Sequence, residues 1–159
     1  MGFELDPQNV VSEIIKRNSG IYDVVYFYGQ GGATTAVIEK LLASCQSCIG
    51  RNVIRTSGAA FCKTLSARIQ AGNLGSPFPE EALFSCDLFI FEDIDAIACH
   101  SVAQESLYNI LNWLLEHHVQ IVITGSAPAA RMDLLSSRIC AQIAGGLGCP
   151  VDSGIAPKI

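Results

Sequence analysis

Gly29-Gln-Gly-Gly-Ala-Thr-Thr35 lies between an apolar run and a segment of helical periodicity. That is the setting in which a phosphate-binding loop belongs. Such a loop has the form G-x-x-x-x-G-K-[ST]: the Lys ammonium reaches the β- and γ-phosphates and the hydroxyl holds Mg²⁺. Here the segment is one residue short, Ala33 stands where the last glycine should be, and Thr34 stands where the lysine should be. Two further places carry related chemistry. Glu92-Asp93 closes one apolar run with two carboxylates, and Thr124-Gly-Ser126 closes another with hydroxyls. Paired carboxylates at a strand end can hold a metal ion and orient water.

The elements that would position these residues are legible as patterns. Val24 to Tyr28 is a continuous β-rich apolar run, as expected of a strand buried on both faces of a parallel sheet. Similar strands are predicted over about 52–56, 87–93, 119–124 and 147–152. Between them, apolar residues recur at helical spacing over about 7–17, 35–45 and 102–116. Ser57 is a helix cap ahead of Phe61, Leu65 and Ile69, which mark every fourth position. Ser101 with Gln104 spells a capping box, and Leu134, Leu135 and Ile139 mark a last helix closed by Gly145-Gly146. Residues 72–79, rich in Gly, Asn, Ser and Pro, read as a loop. Strands alternating with helices predict a doubly wound α/β fold with a five-stranded parallel sheet and helices on both faces. Ligands bind such sheets beyond the carboxyl ends of the strands, so the glycine turn, the two carboxylates and the hydroxyl pair are all expected at one rim.

Composition narrows the function further. With 159 residues, 50% hydrophobic and 16% charged, the chain is expected to form one domain with a single buried core. No apolar run approaches the ~20 residues that a membrane helix needs, and the first residues lack the pattern of a signal peptide. A cytoplasmic protein with no membrane partner is the expectation. Ten Lys and Arg are scattered against 15 Asp and Glu, net charge −5, so autonomous duplex DNA binding is disfavoured. Seven cysteines, an odd number, are expected as thiols, and Cys45-x-x-Cys48 has no second pair to complete a zinc site. His117 and His118 end an apolar helix, where a cation complements the dipole.

The segment order, together with several strings, resembles the AAA+ core of the bacterial replication initiator DnaA and its regulatory relative Hda. Glu92-Asp-Ile-Asp-Ala-Ile97 is similar to the family's Walker B segment. Gln120 to Pro128 resembles its sensor 1 strand and proline-bearing loop. Leu135-Ser-Ser-Arg-Ile139 followed by Gly145-Gly-Leu147 resembles its arginine-finger box. The likeness runs over about residues 8–152. It implies a P-loop NTPase (AAA+) fold, with Gly29, Gly31, Gly32, Thr34 and Thr35 as the nucleotide-binding loop. It implies Thr35 and Glu92 as the Mg²⁺ positions, Asp93 as the residue that helps orient water, Ser126 as sensor 1, and Arg138 as a finger offered to a neighbouring subunit.

The departures shape the functional expectation. Without a loop lysine, no side-chain cation offsets triphosphate charge, and Lys40 lies more than a turn along the helix. The family's helical lid and any DNA-reading domain are expected to be absent from 1–159. An apolar patch near Gly29–Ala36 and Thr124–Pro128, the surface a lid would cover, is therefore expected to serve self-association or partner docking. Glu92, Asp93, Ser126 and Arg138 then read as vestigial catalytic positions. The leading expectation is a non-catalytic DnaA/Hda-like module that acts through protein contacts with DnaA or another AAA+ protein in control of replication initiation. The alternative is an ATP-binding switch or weak ATPase that holds ATP or ADP with Mg²⁺ in a divergent loop. A single-strand-binding relative of helicase or clamp loaders is the third reading, disfavoured by the acidic charge. Phe3-Glu-Leu5 is apolar enough for a sliding-clamp peptide but lacks its leading glutamine.

Overall fold

Five apolar runs become five parallel strands: β1 (Val24–Tyr28), β2 (Val53–Ser57), β3 (Leu88–Glu92), β4 (Gln120–Gly125) and β5 (Leu147–Pro150). They lie in the order β2-β3-β4-β1-β5, so β1, β3 and β4 have a strand on either side. That position explains their unbroken hydrophobicity, because residues of both parities are buried. Val25, Phe27, Leu88, Ile90 and Val122 face a layer made by α1 (Pro7–Ile15) and α2 (Ala33–Gln46). Tyr26, Phe89, Phe91, Ile121 and Ile123 face the opposite layer, which holds α3 (Gly58–Gln70), α4 (Glu80–Phe84), α5 (Ser101–Glu116) and α6 (Ser137–Ala144). The computed structural model describes residues 6–15, 23–30, 32–46, 52–72, 78 and 80–152. Gly31, Cys48, the Phe3-Glu-Leu5 segment and most of the 72–79 loop lie outside the described residues, as does the side chain of Cys45.

The register brings the strand ends to one rim. Tyr28 is level with Gly125 on β4 and with Pro150 on β5, and Ser57 is level with Glu92. The three stretches of interest therefore follow directly from adjacent or near-adjacent strands, as the alternating pattern predicts.

Several local expectations are corrected. Ser57 caps α3 as expected, accepting from Ala60 N at 3.1 Å, and Phe61 and Leu65 are buried, but Ile69 is 44% exposed. Ile69 falls in the last turn of α3, beyond the residues of that helix that are buried, Gly58, Phe61 and Leu65. The capping box does not form. His100 is the N-cap of α5 and accepts from Ala103 N at 3.1 Å, while Gln104 is turned into the core. Helix α6 starts at Ser137 with Ser136 as its cap. Leu135 is buried ahead of that helix, and Leu134 is exposed. The five-residue α4 is too short to show a period in the sequence, and Leu83 alone anchors it deeply.

The expected apolar patch at the rim is also absent among the described residues. Among the described residues the exposed large apolar side chains are Ile69, Phe84, Val102 and Leu134. None of them falls in 29–36 or 124–128, where Gly, Thr, Ser and Ala predominate and have little apolar surface to show. Among the described residues no helix is long and apolar enough to cross a membrane.

Candidate functional site

Beyond the strand ends lies a cleft of about 400 Å³ lined by Gly29, Gln30, Thr34, Thr35, Ser57, Glu92, Asp93, Thr124, Gly125 and Ser126. The sequence-derived loop, acidic and sensor positions Gly29, Thr34, Thr35, Glu92, Asp93 and Ser126 therefore meet in one place; Gly32 does not line the cleft, and Gly31 is not described. Arg138 is not among them.

Gly29 opens the turn after β1 and donates its N–H to Gly125 O at 3.1 Å. A side chain at this position would run into the backbone of Val151, so close approach requires the glycine. Gly32 differs: a Cβ there meets nothing, and packing does not demand it. The start of α2 follows, with Ala36 N donating to Gly32 O at 3.1 Å. Thr34 and Thr35 sit in its first turn, where the helix dipole gives a modest anion preference.

Glu92 closes β3 on the α2 side of the sheet. Its carboxylate is held by Arg55 of β2, with Nε to Oε2 at 2.5 Å and Nη2 to Oε1 at 3.2 Å. The same guanidinium reaches Glu39 of α2 at 3.0 Å. Parallel pairing sets Arg55 opposite Ile90, one diagonal step from Glu92 on the same face. Sequence reading missed Arg55 because an isolated arginine on a short strand carries no motif. Its signal is the register, which only the sheet order supplies.

Asp93 adopts left-handed backbone angles, φ 57 and ψ 63, which a short polar residue tolerates. Its N–H donates to the buried Thr124 Oγ1 at 2.8 Å, tying the ends of β3 and β4 together. Burial first, and the neighbouring Asp95 second, hold the Asp93 carboxyl above the usual carboxylate range. Asp95 also takes up Ser126, accepting from its N–H at 3.0 Å and from its hydroxyl. Tyr26 fastens the next residue, donating to Ala127 O at 2.5 Å. Burial above all raises the pKa of this phenol and keeps it protonated as a donor. The β4 loop is thus pinned from two sides, and Gly125 is crowded by Tyr26, Met132 and Asp95.

Arg138 lies on α6, exposed, with its guanidinium 3.9 Å from the ring centroid of Tyr108 on α5. Among the described residues it has no carboxylate partner. Behind it, Gln142 donates to Asn112 at 2.7 Å, and Asn112 first and Arg138 second lower the pKa of the Tyr108 phenol. Gln104 braces this corner from inside: its amide donates to Ile97 O at 3.0 Å and Leu134 O at 3.1 Å, and its carbonyl accepts from Ser136 N at 2.7 Å.

The profile of the family described as the bacterial DnaA ATPase domain matches residues 7–150. The chain belongs to that family. It is 23% identical over 139 residues to chromosomal replication initiator protein DnaA 2 of Protochlamydia amoebophila, covering 87% of this chain and 30% of that protein. The AMPPCP-bound DnaA from Aquifex aeolicus shares the fold at a TM-score of 0.78 and 20% identity, over 90% of this chain and 44% of that one. A DnaC helicase loader does so at 0.71 and 11%, over 94% and 93%. The chain spans under a third of the curated DnaA relative's length. Its sheet and helices are those of an AAA+ P-loop NTPase, as the resemblance implied.

Membership of the DnaA family implies a nucleotide and magnesium, and the residues can be tested against both. The cleft lining holds two carboxylates and no Lys or Arg among the described residues, the reverse of what a triphosphate needs. Both oxygens of Glu92 already face a guanidinium, and among the described residues no cluster of three or more His, Cys, Asp or Glu could hold a metal. Magnesium does not fit this donor set as it stands.

Proposed function

We propose that this chain is a non-catalytic DnaA-like AAA+ module that works in replication initiation through protein contacts rather than nucleotide turnover. The observation that carries the reading is the internal closure of charge and hydrogen bonding around the cleft. Glu92 is matched by Arg55 and Ser126 by Asp95, while Thr34 takes the lysine position. Side chains already engaged within the fold must break those contacts before they can serve a phosphate, a metal or a water. Arg138 is the counter-example, an exposed guanidinium poised over Tyr108 and available to a neighbouring molecule. A DnaA or another AAA+ protein presenting its own nucleotide is the partner that such an arginine suits. The same reading puts the chain in the cytoplasm with the chromosome.

The test has two arms. Purified chain is expected to show no ATP hydrolysis above buffer; hydrolysis abolished by Asp93→Ala overturns the proposal. Affinity capture from native lysate is expected to recover an AAA+ replication protein with the wild type and to lose it with Arg138→Ala.

A second reading, an ATP-binding switch without hydrolysis, is favoured by the room left beside Gly29, Thr34 and Thr35. Titration with a fluorescent ATP analogue separates the two, since saturation in the micromolar range supports the switch and its absence removes it.

A further inference from the structure

We infer that Arg55 is a built-in replacement for the divalent cation at this site, so that Glu92 is neutralised and held in place without metal. The inference rests on the non-catalytic reading above and extends it to what holds the cleft together.

A metal at the end of a P-loop strand does two things: it neutralises the strand-end carboxylate and joins it to the start of the loop helix. Arg55 does the first here, and in place of the second it ties the carboxylate to Glu39 in the middle of that helix. Its guanidinium meets both oxygens of Glu92 on β3 and, through Nη2, also Glu39 on α2. The acidic strand end, the edge strand and the loop helix are thereby tied by one side chain. The planar fork suits a carboxylate in two-point contact and stays charged at every working pH. Glu92 is the more enclosed partner, its side chain 16% exposed against 35% for Arg55, so the carboxylate has few other sources of compensation. A divalent ion demands a compact shell of oxygens and would have to displace the guanidinium from both of them. The cation is therefore permanent and covalently attached, and the site needs no ion from solution.

The probe is Mn²⁺ alone, followed through the electron paramagnetic resonance signal of the free ion, with circular dichroism melting to verify each fold. The wild type is expected to take up no Mn²⁺ at the site. Arg55→Met uncovers Glu92 and is expected to gain at least about tenfold in Mn²⁺ affinity, the scale on which removing a neighbour retunes a metal site. Arg55→Met/Glu92→Gln is expected to lose that gain. If Arg55→Met melts below the assay temperature, Arg55→Gln gives the same readout. Wild-type binding as tight as that of the uncovered variant overturns the inference, as does a folded Arg55 variant with no gain. ATP hydrolysis by the wild type would instead sink the non-catalytic reading, whereas Mn²⁺ uptake without hydrolysis sinks the arginine alone.

Discussion

The rim of the sheet and the α5–α6 corner treat their polar side chains in opposite ways. At the rim, Glu92 and Ser126 are answered from within the chain by Arg55 and Asp95. At the corner the buried Gln104 is equally well answered, yet it supports a helix start from which Arg138 projects over the Tyr108 ring. Internal satisfaction serves rigidity in both places. In one it engages the polar side chains of the cleft; in the other it leaves a guanidinium exposed. Under the proposed reading, the comparison teaches that an AAA+ core can keep its architecture while function moves from its own cleft to its outer face.

The comparison can be broken most forcefully at Gln104. Gln104→Ala strands the Ser136 amide and removes one of two donors from each of the Ile97 and Leu134 carbonyls, and is expected to cost about 2 kcal/mol, read as a lower denaturant midpoint. Arg138-dependent capture should weaken with it. Tyr26→Phe removes the donor that fixes Ala127 and should cost about 1 kcal/mol. Thermal melts would register this, and hydrogen exchange should quicken around residues 126–128. A double-mutant cycle between Arg55 and Glu92 is expected to give a coupling of about 1 kcal/mol, the upper end for a partly exposed pair. Arg138→Ala should shift stability by only about 0.5 kcal/mol, the lost ring contact, while abolishing partner capture. That dissociation of stability from binding is the sharpest form of the contrast.

The smallest expected effect is one of pH. Because Asp93 is held above its ordinary pKa by burial and Asp95, the folded chain keeps a proton that the unfolded chain has released. In the window between the ordinary and the raised value, stability therefore falls as pH rises. Asp93→Asn tolerates the left-handed backbone and should remove that slope, leaving the variant slightly more stable at neutral pH. A stability profile of the variant that runs parallel to the wild type from pH 3 to 7 would contradict this.

Much of the fold was legible because interior parallel strands leave unbroken apolar runs such as Val24–Tyr28 and Leu88–Glu92, and because Ser57 has the chemistry of a cap. The convergence of Gly29, Glu92 and Ser126 followed from strand alternation alone. What escaped depended on partners distant in sequence. Gln104 looks like a capping residue locally, and only the packing of the residue 132–136 segment against α5 turns it inward. Arg55 is meaningful only once β2 is known to lie beside β3. Asp95 sits inside the string that resembles Walker B, but its bond to Ser126 spans 31 residues.

The first residue of the glycine turn is clamped between neighbours: Gly29 donates to Gly125, and Val151 donates to Tyr28 O at 2.7 Å directly beside it. This has an evolutionary corollary. Under the proposed reading, a lineage carrying this shortened turn would not gain a motor by a single codon change, because Thr34→Lys would place an ammonium on the first turn of α2 behind a turn with no slack at its root. If the chain is non-catalytic as proposed, reactivation would demand an inserted residue, a lysine and the retirement of Arg55 together, and such a loss would behave as a ratchet.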